Sequence, residues 1–505
     1  MPEPFSLAPS GQWDGNDGHW SSFSIKLGTP ERSYRVFPDT FGYDSAIPSA
    51  KGCKPDDPKD CIKWRGADDQ GFKSEDSKSW DEIGEYVTSF VDELEGPSYA
   101  IYGLDTITIP IEGGGTHKLE KQAIAMIEEK KPFIGSLGLA PVTSEYLNNT
   151  KSGPSVMEAL RDQKLLPSVS YGYTAGAYYK NPKVQGSLTF GGYDASRLDD
   201  DHDSVRFPFA FGPAVPQEHE NITVGIWAIE ATGTQTPGTD SFHHDKNSLV
   251  GVIDSSISHF WFPSSLCETF EKNFGLTYNK ETDFYTIDDK THDRLVKDKA
   301  SVKFTLGYPN MKGDPFEVTF PYEALNMEPS WPLYKDAKRI FPMRKNKNGS
   351  ADYPATLGRT FLQEVYLMVN YDKSEFELHK AVLDNVGKAD LQTIDDKAWE
   401  EEDAEGATAG GASKSKKGKK KGFKIKLKTP VIIGIAVGAG VLIILAVVVL
   451  CCIKRKKGPK KMKGSYESLR GAAPVAMKAF QDNHRTGAPQ PYAPYIAGGN
   501  HGHGA

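Results

Sequence analysis

The sequence predicts a mainly β protein of two related lobes, joined by a linker to one apolar segment that crosses a membrane. Three observations lead there: strand-like runs over 12–382, a small Asp-centred pattern that occurs twice, and an uncharged apolar run near the C-terminus. The first fixes the class of structure, the second its internal symmetry and the third its anchoring.

The strand-like runs are Ser22–Leu27, Tyr34–Phe37, Ile101–Ile109, Gly186–Phe190, Ser301–Leu306, Phe316–Phe320 and Val365–Tyr371. Most are rich in β-branched and aromatic residues, and Gly, Pro, Asn or Asp punctuate the stretches between them. Helical signals are few: Pro154–Lys164, opening after Ser152-Gly153, and Leu266–Phe274, opening after Pro263-Ser264-Ser265. With 505 residues, 38% of them hydrophobic, the chain is long enough to bury the cores of two lobes. These divide as 12–200 and 201–382. Residues 383–429 turn acidic at Trp399–Asp403 and then rich in Gly, Ala, Ser and Lys, the composition of an unstructured linker. Residues 454–505 are basic, then rich in Pro, Gly and His, and read as a disordered tail.

The apolar run Val431–Ile453, within a 430–453 segment, contains no charged residue. At about 1.5 Å per residue it is long enough to cross a hydrocarbon core about 30 Å thick. Lysines crowd both flanks, Lys414 to Lys428 before it and Lys454 to Lys463 after it, so flanking charge does not choose an orientation. The flanks suit contact with acidic lipid headgroups or, equally, a solvated stalk. The opening residues MPEPFSLAPSGQWDG hold no apolar signal segment. An ectodomain outside the cytosol, with a cytoplasmic C-terminal tail, is favoured by three glycosylation sequons, at Asn148, Asn221 and Asn348, and by the close pair Cys53 and Cys61, which can close a short disulfide loop. Cys267 is expected to be a buried free thiol, and Cys451 and Cys452 to be sites of S-acylation or simple apolar filler. The net charge of −7 masks acidic residues spread through the first part and lysines gathered around the span, a pattern that implies no nucleic-acid partner. His501 and His503 read as a solvated terminus rather than a metal site, and no cofactor is expected.

The chain contains no HExxH, no phosphate-binding loop, no GxSxG and no CxxC. It does repeat an apolar stretch ending in Asp and a hydroxyl residue: Val36-Phe37-Pro38-Asp39-Thr40-Phe41-Gly42 and Val252-Ile253-Asp254-Ser255-Ser256-Ile257. About a hundred residues after each comes an apolar-Gly run, Phe133-Ile134-Gly135-Ser136-Leu137-Gly138-Leu139 and Ala355-Thr356-Leu357-Gly358-Arg359-Thr360-Phe361. Two copies of one plan imply a pseudo-dimer.

These landmarks, in this order across roughly Ser21 to Lys380, resemble the pepsin-like aspartic proteases. Leu27-Gly28-Thr29-Pro30 is similar to the family's first turn, Gly103-Leu104-Asp105-Thr106-Ile107 to the strand after the flap, and Gly191-Gly192-Tyr193-Asp194 to the element before the lobe crossover. Leu357–Leu362 followed by Val369-Asn370-Tyr371-Asp372 matches the terminal element of the second lobe. The resemblance implies a bilobed fold with a central cleft, catalytic Asp39 and Asp254 supported by Thr40 and Ser255, and a protein or peptide in the cleft. With the anchor, it implies a surface setting like that of anchored members in fungal cell envelopes. Two neighbouring carboxylates share one proton: one takes a proton from water as it attacks a peptide carbonyl, and the other protonates that carbonyl oxygen.

The family pattern is Asp-Thr/Ser-Gly-Ser/Thr, and the third and fourth positions depart from it: Phe41 and Gly42 in the first copy, Ser256 and Ile257 in the second. Neither fourth position offers a hydroxyl to its aspartate. The stretch Phe90–Pro97, where the flap tip belongs, carries no tyrosine. Three function classes therefore stay open: an aspartic endopeptidase, a pseudoprotease whose cleft binds a peptide or cell-surface partner without cutting it, and a structural surface protein acting through its stalk and tail.

Overall fold

The computed structural model describes residues 2–67, 70–88, 99–146, 151–199, 204–209, 222–245, 249–308, 314–335, 338–346, 349–350 and 353–394. The sequons at Asn148, Asn221 and Asn348, the flap stretch Phe90–Pro97, the apolar run with its lysine flanks, Cys451, Cys452 and the tail all lie outside these residues. Among the described residues no helix is long and apolar enough to cross a membrane.

The predicted strands are present, each end within two residues of the expected one: Trp20–Leu27, Arg32–Asp39, Tyr99–Pro110, Ser187–Phe190, Ser301–Gly307, Phe316–Pro321 and Val365–Asn370. They assemble into three large sheets. In the first half, eight strands run in the order 9–14, 20–27, 32–39, 135–138, 45–48, 116–127, 99–110 and 81–87. In the second half, a sheet built on 316–321, 301–307, 223–232, 250–253, 355–357, 260–262 and 343–345 also takes 239–244 beside 223–232. A six-stranded sheet draws on both halves, ordering 5–6, 187–190, 170–174, 365–370, 375–380 and 205–208. Alternation decides which face is buried: along Ser301–Gly307, Val302, Phe304 and Leu306 point into the core while Ser301, Lys303 and Thr305 face outward.

The internal duplication is visible in the ladders. Arg32–Asp39 pairs in parallel with Gly135–Gly138, setting Asp39 beside Gly138, and Val250–Ile253 pairs in parallel with Ala355–Leu357. The glycines of the apolar-Gly runs are there because backbone passes backbone too closely for a side chain. A Cβ on Gly138 would lie 2.5 Å from the Tyr43 carbonyl carbon, and one on Gly358 2.5 Å from the carbonyl oxygens of Ile257 and His259.

Both predicted helices form. Val156–Asp162 starts with a capping box between Ser155 and Glu158, and Ser264–Phe274 ends on Gly275 in the left-handed conformation at φ 70°. Two further helices, Cys61–Trp64 and Asp289–Lys297, carry too little apolar periodicity to be read, since each buries a single residue, Cys61 or Leu295. One correction concerns the linker. Its first residues are ordered: Leu391–Thr393 pairs antiparallel with Gly192–Asp194, and Ile394 is fully buried against Leu198, Tyr366 and Met368. Two apolar side chains spaced to reach that surface outweigh the polar composition around them.

Cys53 and Cys61 are joined in a disulfide, and Cys267 is a buried free thiol whose proton faces the carbonyls of Phe262 and Arg344. Burial pushes the Cys267 thiol up to about 12, so it is inert as a nucleophile. Among the described residues, one group of potential metal donors converges, Cys53, Asp57 and Cys61, and the disulfide consumes both of its thiols.

Candidate active site

Each candidate aspartate sits at the C-terminal end of a parallel strand pair. The Leu139 N–H donates to the Asp39 carbonyl at 2.9 Å, and the Asp254 N–H donates to the Leu357 carbonyl at 3.2 Å. The residues after them lock the two halves together. The Thr40 N–H donates to Ser255 Oγ and the Ser255 N–H to Thr40 Oγ1, both at 2.9 Å, and the Ser255 hydroxyl donates onward to the Pro38 carbonyl at 2.7 Å. Thr40 and Ser255 are buried, so these bonds replace water completely and fix how the two strand ends face one another.

Asp39 is 1% exposed. Its Oδ1 accepts from the Phe41 N–H at 3.1 Å and the Gly42 N–H at 2.7 Å, while Asp254 Oδ1 accepts from the Ser256 N–H at 2.8 Å. The feared departure at the third position thus leaves its backbone donor in place. Phe41 is half-buried, and the need for glycine has moved one residue on. A Cβ on Gly42 would lie 2.4 Å from Asp39 Oδ2. That oxygen is buried and has no hydrogen-bond partner among the described residues, in keeping with the absence of a fourth-position hydroxyl. Burial and then the charge of Asp254 raise the Asp39 carboxyl to about 7, against the opposing pull of the Gly42 and Phe41 N–H groups and of Arg359. A proton therefore stays on the pair through the mildly acidic range.

A buried network at this site is not announced by the sequence motifs. Arg359, within the second apolar-Gly run, buries its guanidinium beside the dyad: Nη1 donates to the Ser255 carbonyl at 2.6 Å and the Ser256 carbonyl at 3.1 Å, and Nη2 donates to Ser258 Oγ at 2.5 Å. It packs over the Phe37 ring at 4.4 Å and the Trp20 ring at 5.2 Å. The Ser258 hydroxyl in turn donates to Asp17 Oδ2, and the Trp20 indole N–H donates to Asp17 Oδ1 at 2.9 Å. His259, buried and held down to about 4 by that burial, is neutral and donates from Nε2 to the Asp17 carbonyl at 2.8 Å. The legible signal was a charged residue inside an otherwise apolar segment; its partner, Asp17, lies too far off in sequence to be paired with it.

A cavity of about 410 Å³ opens beside Asp39. Its walls mix aromatic and aliphatic side chains, among them Phe133, Ile134, Trp261, Phe284 and Leu333, with polar and charged ones, among them Lys130, Arg344 and Asp283. The cations are matched: Lys130 pairs with Asp57 at 2.7 Å, and Arg344 Nε donates to Asp283 at 3.1 Å. The 129–133 wall is held by Arg65, fully buried, which donates to the carbonyls of Glu129, Phe133 and Pro132.

Comparisons with known proteins identify the family. A sequence model of the eukaryotic aspartyl protease family matches residues 22–381. Plasmepsin VI of Plasmodium berghei (strain Anka) is 23% identical over 271 residues, which cover 51% of this chain and 55% of that protein. The chain thus spans about half the length of the curated relative it matches. On the family match over most of its length, the chain belongs to the eukaryotic aspartyl protease family.

Proposed function

We propose that the protein is an aspartic endopeptidase acting on peptides or proteins laid across the cleft, with Asp39 and Asp254 as the catalytic pair and Thr40 and Ser255 as their supports. The observation that carries the reading is the reciprocal Thr40–Ser255 hydrogen bonding, which holds the two carboxylates in mutual reach although the residues after them have changed. Asp39, carrying the shared proton below about pH 7, donates it to the scissile carbonyl oxygen. Asp254, ionised, removes a proton from the water that attacks the carbonyl carbon. The resulting tetrahedral centre collapses with protonation of the leaving amine, and the pair returns to its singly protonated state. The adjoining cavity, where Phe133, Ile134, Trp261, Phe284 and Leu333 stand among polar groups, suits a large side chain with an apolar body next to the cleaved bond.

One observation favours a second reading, a pseudoprotease that binds without cutting: Asp39 Oδ2 lacks the hydroxyl partner that the family's fourth position supplies. Cleavage of a diverse peptide pool decides between them, because only the first reading yields products that vanish with Asp39→Asn or Asp254→Asn. The setting we infer is a single-pass membrane protein with this domain outside the cytosol, a reading that rests on the apolar run Val431–Ile453, the three sequons and the disulfide. Protease digestion of intact cells, with epitope tags at each end, tests it.

A further inference from the structure

The buried cation at the dyad has no counterpart in the mechanism just described. Arg359 is 4% exposed, and four of its surroundings are anionic or polar groups that read its charge: Asp17, Tyr173, Asp254 and Asp39. An unpaired guanidinium at that depth costs several kcal/mol, so the fold retains it only with compensation. The compensation is built in. Ser258 bridges the two charges, taking a hydrogen bond from Arg359 Nη2 and giving one to Asp17, and Trp20 and His259 fix the other faces of Asp17. In the second Asp motif the third and fourth positions, Ser256 and Ile257, depart from the family pattern, as Phe41 and Gly42 do in the first. Arg359 grips the backbone at that place, through the carbonyls of Ser255 and Ser256.

We propose that Arg359 is a positioning residue for the dyad: its fork holds the Asp254-Ser255-Ser256 turn by the backbone and its charge sets the electrostatic field at the two carboxylates, with Asp17 as the counter-charge. The turn is thereby supported from behind, in place of a hydroxyl from within the motif. The charge has a direction. A cation favours the ionised carboxylate, so Arg359 lets the pair release its proton at lower pH than burial and mutual repulsion alone would allow, and Asp17 partly cancels that pull. For Asp17 itself, burial acts to raise the carboxyl, but Arg359, His259, Ser258 and Trp20 together hold it below its ordinary value, so it stays ionised and available as the counter-charge. His259, held down to about 4 by burial, is neutral above that pH and there adds no competing charge.

The inference rests on Asp39 and Asp254 forming the dyad, and its test does not require turnover. A small epoxide esterifies an ionised carboxylate: the oxygen attacks a ring carbon, the ring C–O bond breaks, and the alkoxide takes a proton from water. The rate at Asp39 and Asp254 against pH, with the site assigned by peptide mass spectrometry, reports when each becomes ionised. The experiment uses the full-length protein with Arg359→Met, Arg359→Lys and Asp17→Asn. Arg359→Met is expected to move the midpoint up by about one pH unit, and Asp17→Asn to move it down. Arg359→Lys, which keeps charge but has no second nitrogen to reach Ser258 while holding the Ser255 and Ser256 carbonyls, is expected to leave the midpoint near its original value while kcat falls about tenfold at unchanged KM. Arg359→Lys and Asp17→Asn keep the test alive should Arg359→Met fail to fold. Unmoved midpoints in folded Arg359→Met and Asp17→Asn overturn the proposal, as does full activity in Arg359→Lys. Opposite midpoint shifts in a protein that cleaves nothing support Arg359's role and sink the peptidase reading instead.

Discussion

Thr40 and Ser255 exchange hydrogen bonds between backbone and hydroxyl at 2.9 Å each, joining two strand ends 215 residues apart in the chain. Removing one hydroxyl strands a buried N–H on the opposite half as well as losing the bond itself. Thr40→Val and Ser255→Ala are each expected to cost about 1–3 kcal/mol in urea denaturation. Peptide cleavage should fall more steeply than stability, because the grip sets the separation of the carboxylates. Variants with unchanged stability and unchanged cleavage would show that the exchange is incidental.

Phe41 and Gly42 make an opposed pair of expectations. The Phe41 N–H, not its side chain, serves Asp39, so Phe41→Gly is expected to change cleavage by no more than a few-fold. Gly42→Ala drives a methyl to within 2.4 Å of Asp39 Oδ2 and is expected to cost about a hundredfold in kcat, the scale of a displaced reacting group. Steady-state kinetics on the two single variants separates them; equal losses would contradict the account of why the motif tolerates its third position.

Asp44 offers a pH test outside the dyad. Its carboxylate is buried against Ser144 and Tyr102, and burial pushes it up to about 7 from the ordinary 3.8. The folded protein therefore holds a proton that the unfolded chain gives up. That contribution to stability is complete below about pH 4 and is lost as pH rises through about 7; Asp39 acts with the same sign. His259 acts oppositely, since its folded form is held down to about 4 and stability falls as pH drops below its ordinary 6.5. Asp44→Asn is expected to remove about one proton from the slope of stability against pH between 5 and 7. Urea midpoints across that range measure it, and an unchanged slope would contradict the assignment.

Arg65 connects the disulfide-bearing helix to the cavity wall, following Cys61–Trp64 directly and binding three carbonyls of 129–133. Arg65→Met takes the donor from those carbonyls, the buried Phe133 carbonyl among them, and is expected to cost about 3 kcal/mol and to raise KM more than it lowers kcat. A variant that loses stability with KM unchanged would show that the wall does not contact substrate.

The parts of this protein that were readable in its sequence are those carried by local chemistry. Asp39, Thr40, Asp254 and Ser255 announce themselves by type and spacing, and strands such as Ser301–Gly307 by alternation. The glycine shift from position 41 to 42 was not readable, because the sequence shows which residue is missing but not where the backbone crowds the carboxylate. The partnership of Arg359 with Asp17 was not readable for a different reason: it runs through Ser258, between a loop near the N-terminus and a turn near residue 258, which no local pattern encodes. The strand at Leu391–Thr393 was missed because a few apolar side chains in polar surroundings find a surface only once the body is folded.

The most direct test is cleavage of a diverse peptide pool by the full-length protein from pH 3 to 7, beside Asp39→Asn and Asp254→Asn, with folding verified for all three. The account expects cutting that declines toward pH 7 as the shared proton leaves the pair, and that disappears in both variants. Folded protein that cuts at no pH, or cutting that survives either substitution, would contradict it.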